Sequence, residues 1–214
     1  WLILFALAMI IMMTFTMRAG SAYYYFYYYV ERPELLPDYL LWQMIAYAAG
    51  AALAPVMTRY IDKAKLLMLL MSIVGTLSIA FYFVPKDMIW AMFTFNILIS
   101  LSLGPKSPLT WSMYADTADY NEWKHGRRAT AMTFSAATFA QKLGGSLGSA
   151  GMLWILAAIG YAAKQAQTGA SQTGIALLQT VIPGLFALIA VGVTAFYKLT
   201  GEQLENIQQE LKNR

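Results

Sequence analysis

Six apolar runs, each about as long as a membrane is thick, constrain this chain more than any other feature. A helix needs about 20 apolar residues to cross the hydrocarbon core of a bilayer. The runs are Leu2–Val30, Tyr39–Met57, Leu66–Val84, Met88–Met113, Ala129–Ile159 and Ile175–Tyr197. They predict an all-α membrane protein of six transmembrane helices. Composition agrees: 59% of residues are hydrophobic and 12% are charged, against roughly 25% charged in soluble domains. So few charges do not cover the surface of a soluble domain of this size.

The same numbers exclude several functions. The net charge is +4, and no basic patch interleaved with aromatics accompanies it, so no nucleic-acid partner is expected. There is no cysteine, hence no disulfide and no thiolate chemistry. The single histidine, His125, does not make a metal cluster and reads as an ordinary loop residue. The chain opens at Trp1 inside an apolar run without an initiator Met, so it reads as a piece of a longer protein. That run is too long for a signal peptide and lacks a basic leader.

The connections fix an orientation. One side collects Arg59, Lys63, Lys65, Lys124, Arg127, Arg128, Lys198, Lys212 and Arg214; the other has Arg32, Lys86 and Lys164. Cytoplasmic loops carry the excess of Lys and Arg. The C-terminal tail and the charged connection Tyr114–Arg128, read as a loop, are therefore expected in the cytoplasm. The tail reads as a short amphipathic helix: Thr200 with Gln203 is a candidate capping box, and Leu204, Ile207 and Leu211 share a face. Two placements stay open for it, along the inner membrane surface or as a partly ordered terminus.

Three cations lie inside apolar segments: Arg18, Lys106 and Lys142. Lys142 comes about 13 residues into its run, or about 20 Å along a helix, too deep for easy snorkelling. A cation at that depth faces a wet cavity or a partner. Thr138 one turn before and Ser146 one turn after suit a cavity-lining face. All eleven acidic residues fall in loops, loop margins or the tail, so a buried Lys142 has no carboxylate in its own membrane interior. Its counter-charge comes from a ligand, a hydroxyl or backbone network, or another domain.

Arg18 precedes Tyr23, Tyr24, Tyr25, Tyr27, Tyr28 and Tyr29. Two readings stand: an interfacial tyrosine belt, or a polar pathway lined by Arg18 and Tyr24 and suited to sugars, whose C–H faces stack on rings. Lys106 lies in Gly104-Pro-Lys-Ser-Pro108, which must kink or break the fourth helix; it faces the resulting cavity or snorkels to the cytoplasm. Trp111, one turn beyond Ser107, either stacks on a ligand or packs at the interface. Gly144, Gly145, Gly148 and Gly151 form a small-residue face for close helix approach. Asp116, Asp119, Glu122, Lys124, Arg127 and Arg128 form either a solvated loop or, if paired across two domains, a gate.

Several of these segments resemble the glycoside–pentoside–hexuronide:cation symporters, the melibiose-carrier-like branch of the major facilitator superfamily. They are RAGSAYYYFYY (18–28), PLTWSMYADTADYNEWKHGRR (108–128), FSAATFAQKLGGSLG (134–148), GY (160–161) and IPGLF with FYKLTGEQLENIQQEL (182–211). The resemblance covers essentially the whole chain, but only the C-terminal six helices of a twelve-helix family. It implies residues 1–198 as the C-terminal bundle, 199–214 as a cytoplasmic tail, and an N-terminal six-helix bundle as partner. It implies alternating-access symport of a sugar or glycoside with Na⁺ or H⁺ in the bacterial inner membrane. The coupling ion would bind mainly to acids of the missing half, and no other cofactor is implied. The family's lysine next to the sugar and cation sites falls on Lys142, and its cytoplasmic charged lock on Asp116, Asp119 and Arg128. The chain departs from the melibiose carriers in having Ser107 where they have a sugar-site tryptophan, and Ala137 for a glutamine, with Thr138 retained. The pocket is altered, and an α-galactoside is not assigned.

The expected substrate-binding set is thus Lys142, Thr138, Trp111, Ser107, Arg18 and Tyr24, with no catalytic and no metal-binding residues. The rival readings are a lipid or amphiphile carrier of the same superfamily, an intramembrane enzyme, for which a base or metal at depth is lacking, and a non-transporting scaffold or sensor.

Overall fold

The computed structural model describes residues 1–126, 129–197 and 199–213. Regular structure among them is helical throughout. Helix α1 (Leu2–Tyr24) passes into a π-helical turn over Tyr25–Tyr29, where the Val30 N–H reaches back to the Tyr25 carbonyl at 2.9 Å. The chain continues through α2 (Leu36–Met57), α3 (Lys63–Phe81), α4 (Ile89–Leu103), α5 (Lys106–His125), α6 (Thr130–Ala158), α7 (Gly169–Gln179), α8 (Val181–Ala195) and α9 (Gly201–Lys212).

Among the described residues the helices make six passes through the bundle, as the apolar runs predict. Five are long and apolar enough to cross a membrane: Leu2–Tyr29, Pro33–Met57, Lys63–Phe81, Ile89–His125 and Gly169–Ala195. The remaining pass, α6, is diluted by glycine, serine, Gln141 and Lys142 but has 29 residues, or about 43 Å, ample for a core of about 30 Å. In the bundle α1 packs along α6 and α8, α3 along α8 and α4, and α2 along α4.

Two passes are broken, each for a local reason. Pro105 has no N–H to give the Leu101 carbonyl, so the fourth pass ends as α4 and restarts as α5. Pro108 sits in the first turn of α5, where an N–H would have no intrahelical acceptor anyway. The break also packs closely on α2: a Cβ on Gly50 would lie 2.1 Å from the Leu101 carbonyl oxygen, and one on Gly104 would lie 2.3 Å from that of Tyr47. The sixth pass begins at Gly169, earlier than Ile175, and is interrupted at Thr180 (φ −121°, ψ −80°), three residues before Pro183.

One element differs from its sequence reading in kind. The charged stretch after Tyr114 is helix, not loop, as far as His125. Charge density does not end a helix, and no Gly or Pro intervenes before Gly126, which caps α5 in the left-handed conformation at φ 68°. Lys124 and His125 fall in the last turn, where cations suit the helix dipole.

The tail also finds a definite place. Thr200 and Gln203 form the reciprocal capping box of α9, and Ile207 is buried. The helix docks against the far end of α5: Trp123 Nε1 donates to Glu210 Oε2 at 2.6 Å, and Gln208 Nε2 to Asp119 Oδ2 at 3.3 Å.

Candidate functional site

Helix α6 has two faces with opposite jobs. Thr133, Ala137, Ala140, Gly144, Gly148, Met152 and Leu156 form its buried stripe. A Cβ on Gly144 would come within 2.3 Å of the Met9 carbonyl oxygen, and one on Gly148 within 3.1 Å of the Met13 backbone. The two glycines therefore let α6 lie directly on the α1 backbone, the contact that the small-residue spacing predicts. Gly145 and Gly151 take no part in it: a Cβ at Gly145 would meet nothing closer than 3.8 Å, and at Gly151 nothing within 4 Å.

Because glycines point one face at α1, the polar residues of α6 point away from it. Ser135, Thr138, Lys142 and Ser146 are exposed at steps of three to four residues. Lys142 is therefore not buried within this bundle, contrary to the expectation from its depth. Depth along a helix gives no direction around it, and the close approach to α1 turns position 142 outward. Lys142 forms no ion pair among the described residues.

Around Lys142 lies a broad open concavity. One lobe is lined by Trp111, Phe134, Ser135, Thr138, Phe139 and Lys142. The other continues over Met12, Thr16, Gln141, Gly145, Ser146 and Ser149. Trp111 stacks on Phe134 with ring centroids 5.6 Å apart and planes 9° from parallel. Thr138 and Trp111 thus share a surface with Lys142, while the Thr138 hydroxyl itself donates to the Phe134 carbonyl at 2.9 Å. Flat aromatic surface, hydroxyls and a cation are the groups a polyhydroxylated ligand engages.

Ser107 sits behind this face, at the start of α5, next to Lys106. Lys106 is the lysine that is buried, 6% exposed, with its ammonium 4.9 Å from the centroid of the Phe15 ring. It does not snorkel: the helix restarts at this residue, pinned to α2 through Gly104, and its side chain points into the bundle.

Arg18 does not line the concavity either. It is 1% exposed, in the core of the bundle. Its Nη2 donates to Asn96 Oδ1 at 3.0 Å, and Asn96 Nδ2 donates to the Tyr39 carbonyl at 2.9 Å. Gln179 Nε2 donates to the Tyr39 hydroxyl at 3.1 Å, and Ser21 Oγ to Gln179 Oε1 at 2.6 Å. This network joins α1, α2, α4 and α7. Arg18 Nε and Nη1 have no hydrogen-bond partner among the described residues. Sequence reasoning misses Asn96 and Gln179; the signal for them is an amide side chain inside an otherwise apolar run.

Tyr24 belongs to an aromatic cluster at the opposite end from the tail. Its ring meets Tyr161 edge-on at 5.2 Å, and the Tyr161 hydroxyl donates to that of Tyr28 at 3.0 Å. Burial first, and that hydrogen bond second, hold the Tyr161 phenol above its ordinary value.

The residues of the expected gate are separated by their partners. Asp116 is buried and bound through both carboxylate oxygens to Lys63 Nζ, at 2.9 and 2.6 Å. Lys63 opens α3, so this ion pair closes within the bundle. Asp119 faces α9 through Gln208. Arg128 lies outside the described residues.

Comparison with known proteins gives this surface a context. Residues 1–201 match the family described as MFS/sugar transport protein. The chain is 30% identical over 213 residues to the "Inner membrane symporter YicJ" of Escherichia coli (strain K12), covering 99% of this chain and 46% of that protein. It is 29% identical to the "Putative glycoside/cation symporter YagG" of the same strain, over 99% of this chain and 46% of that one. A "Glucuronide carrier protein homolog", also from that strain, is 27% identical over 96% of this chain and 45% of its own length. The chain spans about half the length of the curated relatives it matches. With its membrane-length helices and a family match over nearly its whole length, the chain is a multi-pass membrane protein and belongs to the MFS/sugar transport protein family.

Proposed function

We propose that the full-length protein is a secondary active transporter that moves a sugar or glycoside together with Na⁺ or H⁺. In this reading residues 1–198 are its C-terminal six-helix bundle and residues 199–214 a cytoplasmic tail. The bundle works against an N-terminal bundle of the same protein, in the inner membrane. The coupling ion binds mainly in that other half. The protein changes no covalent bond of its cargo and is not an enzyme.

The observation that carries the proposal is the exposed polar stripe on α6, with Trp111 beside it. Such a surface is costly against lipid and suits a hydrated cleft between two bundles. The family match and the printed names of the relatives support the same reading. Lys142 and Thr138 contact the cargo, Trp111 stacks on it, and Ser107 shapes the wall behind them. Arg18 and Tyr24 act at one remove, by holding α1 and the outer end of the bundle. Asp116, held by Lys63 within the bundle, steadies the cytoplasmic end of α5, and Asp119 and Arg128 act as the cytoplasmic lock. Rocking of the two bundles about the central cleft exposes it to each side in turn.

The test is cargo-driven cation uptake by the full-length protein in proteoliposomes. Lys142→Ala is expected to slow uptake by about tenfold or more, the equivalent of one lost charge-assisted hydrogen bond. Uptake at the unaltered rate would overturn the role of Lys142.

A further inference from the structure

Helix α1 is enclosed for nearly its whole length and opens near one end. From Ile3 to Tyr29 every residue is buried or half-buried except Tyr23 and Tyr27, which are 44% and 43% exposed. Four residues apart, they are neighbours on one face of the helix. Their rings stack, with centroids 4.3 Å apart and planes 27° from parallel. Each ring covers one face of the other, and much of the pair is left open.

The pair is braced from behind. Tyr24 meets the Tyr23 ring edge-on at 5.4 Å and packs in turn against Tyr161, whose hydroxyl donates to that of Tyr28. Tyr28 Oη also accepts from the Lys164 backbone N–H at 3.3 Å. The platform is therefore fixed before any ligand arrives, which lowers the ordering cost of binding.

The direction of the pair decides what lies over it. At about 100° per residue, Thr16, Tyr23 and Tyr27 all fall within about 60° of Met12 around the axis. Met12 and Thr16 line the concavity beside Lys142. The two rings continue that face toward the end of the bundle away from the tail, about 10 and 16 Å beyond Thr16 along the axis. Tyrosines of an interfacial belt face lipid; these two share the face of the cleft. A rigid, open aromatic surface with hydroxyls at its rim is what the flat C–H face of a pyranose stacks on.

We infer that Tyr23 and Tyr27 form an outer capture platform, a second binding place where the ring of a sugar stacks before it moves inward to the Trp111–Thr138–Lys142 face. This rests on the sugar-transport reading above and adds a site to it. A single pyranose ring is too small to touch both places at that separation, so one sugar occupies them in turn.

The experiment is saturation-transfer NMR on the purified full-length protein, in a detergent without a sugar headgroup. Aromatic protons of the protein are irradiated, and transfer to the ring C–H protons of methyl β-glucoside, methyl β-galactoside and methyl β-xyloside is measured. Mannitol, which has the hydroxyls but no flat C–H face, is the control. In Trp111→Ala/Lys142→Ala, where the inner face is disabled, transfer to at least one glycoside is expected to persist, with none to mannitol. Adding Tyr23→Ala and Tyr27→Ala should cut it about fivefold, the value of one aromatic stacking contact. Adding Tyr23→Phe and Tyr27→Phe instead should keep most of it. Nitration of the unaltered protein by tetranitromethane, located by mass spectrometry, decides the matter if the substituted proteins fail to fold. A glycoside at its half-saturating concentration should slow modification of Tyr23 and Tyr27 about twofold, and mannitol should not. Three results overturn the platform alone: transfer that vanishes in a folded Trp111→Ala/Lys142→Ala protein, transfer that survives the loss of both tyrosines, or tyrosines that the reagent does not reach because the other bundle covers them. Transfer to no glycoside in the unaltered protein overturns the sugar-transport reading with it.

Discussion

Arg18 and Lys142 are both cations at membrane depth with no carboxylate beside them, and the bundle treats them in opposite ways. Arg18 is enclosed and bound to Asn96, within a network that also takes in Tyr39, Gln179 and Ser21. Lys142 is exposed on the far side of α6 from its packing stripe. The first cation is answered from within the bundle, although two of its nitrogens have no hydrogen-bond partner among the described residues; the second finds no ion pair among them. Depth in the membrane is therefore a poor guide to role. The side of the helix on which a charge falls, and whether neutral amides reach it, decide between a structural and a ligand-facing cation.

The comparison can be broken most severely at Arg18. Arg18→Ala removes the donor to Asn96 and leaves a large void, so a loss of about 3 kcal/mol of stability is expected, read by thermal unfolding in detergent. A change near zero would mean that burying the guanidinium costs as much as its contacts return, and the contrast with Lys142 would lose its energetic basis. Gly144→Leu comes next. It drives a side chain into the Met9 backbone and is expected to cost about 2 kcal/mol, whereas Gly151→Leu, with open space before it, should change stability little. Equal effects would show that the α1–α6 contact does not set the direction of Lys142. The smallest effect belongs to Lys142 itself: Lys142→Ala is expected to alter stability by less than about 0.5 kcal/mol, while its transport defect is large. A destabilisation as great as that of Arg18→Ala would make Lys142 a structural cation after all.

The passes were legible because about 20 consecutive apolar residues have few other uses. The capping box at Thr200, the break at Pro105 and the close approach at Gly144 and Gly148 were legible because each rests on a few adjacent residues. Three features were not. The helical end of α5 is hidden because a run of charges reads as a loop, although nothing before Gly126 breaks a helix. The exchange of burial between Lys106 and Lys142 was hidden because it depends on where α5 restarts and which face α6 gives to α1. The Arg18–Asn96 and Ser21–Gln179 contacts join residues 78 and 158 positions apart, a pairing that no local pattern announces. Asp116 shows the same limit: its charge and its end of the bundle were readable, and its partner Lys63 was not.

The continuity of α5 has a mechanical consequence. Its 20 residues make an unbroken rod about 30 Å long, running from the buried Lys106 ammonium at one end to the Trp123 indole on the tail at the other. Gly104, seated against the α2 backbone just before the rod begins, would serve as its fulcrum. A tilt of about 5° there, too slight to disturb packing at the pivot, carries the far tip through about 2.6 Å over that length. That stroke is comparable to a hydrogen-bond length, so a small tilt of α5 at its restart would part the indole from Glu210 at the tail.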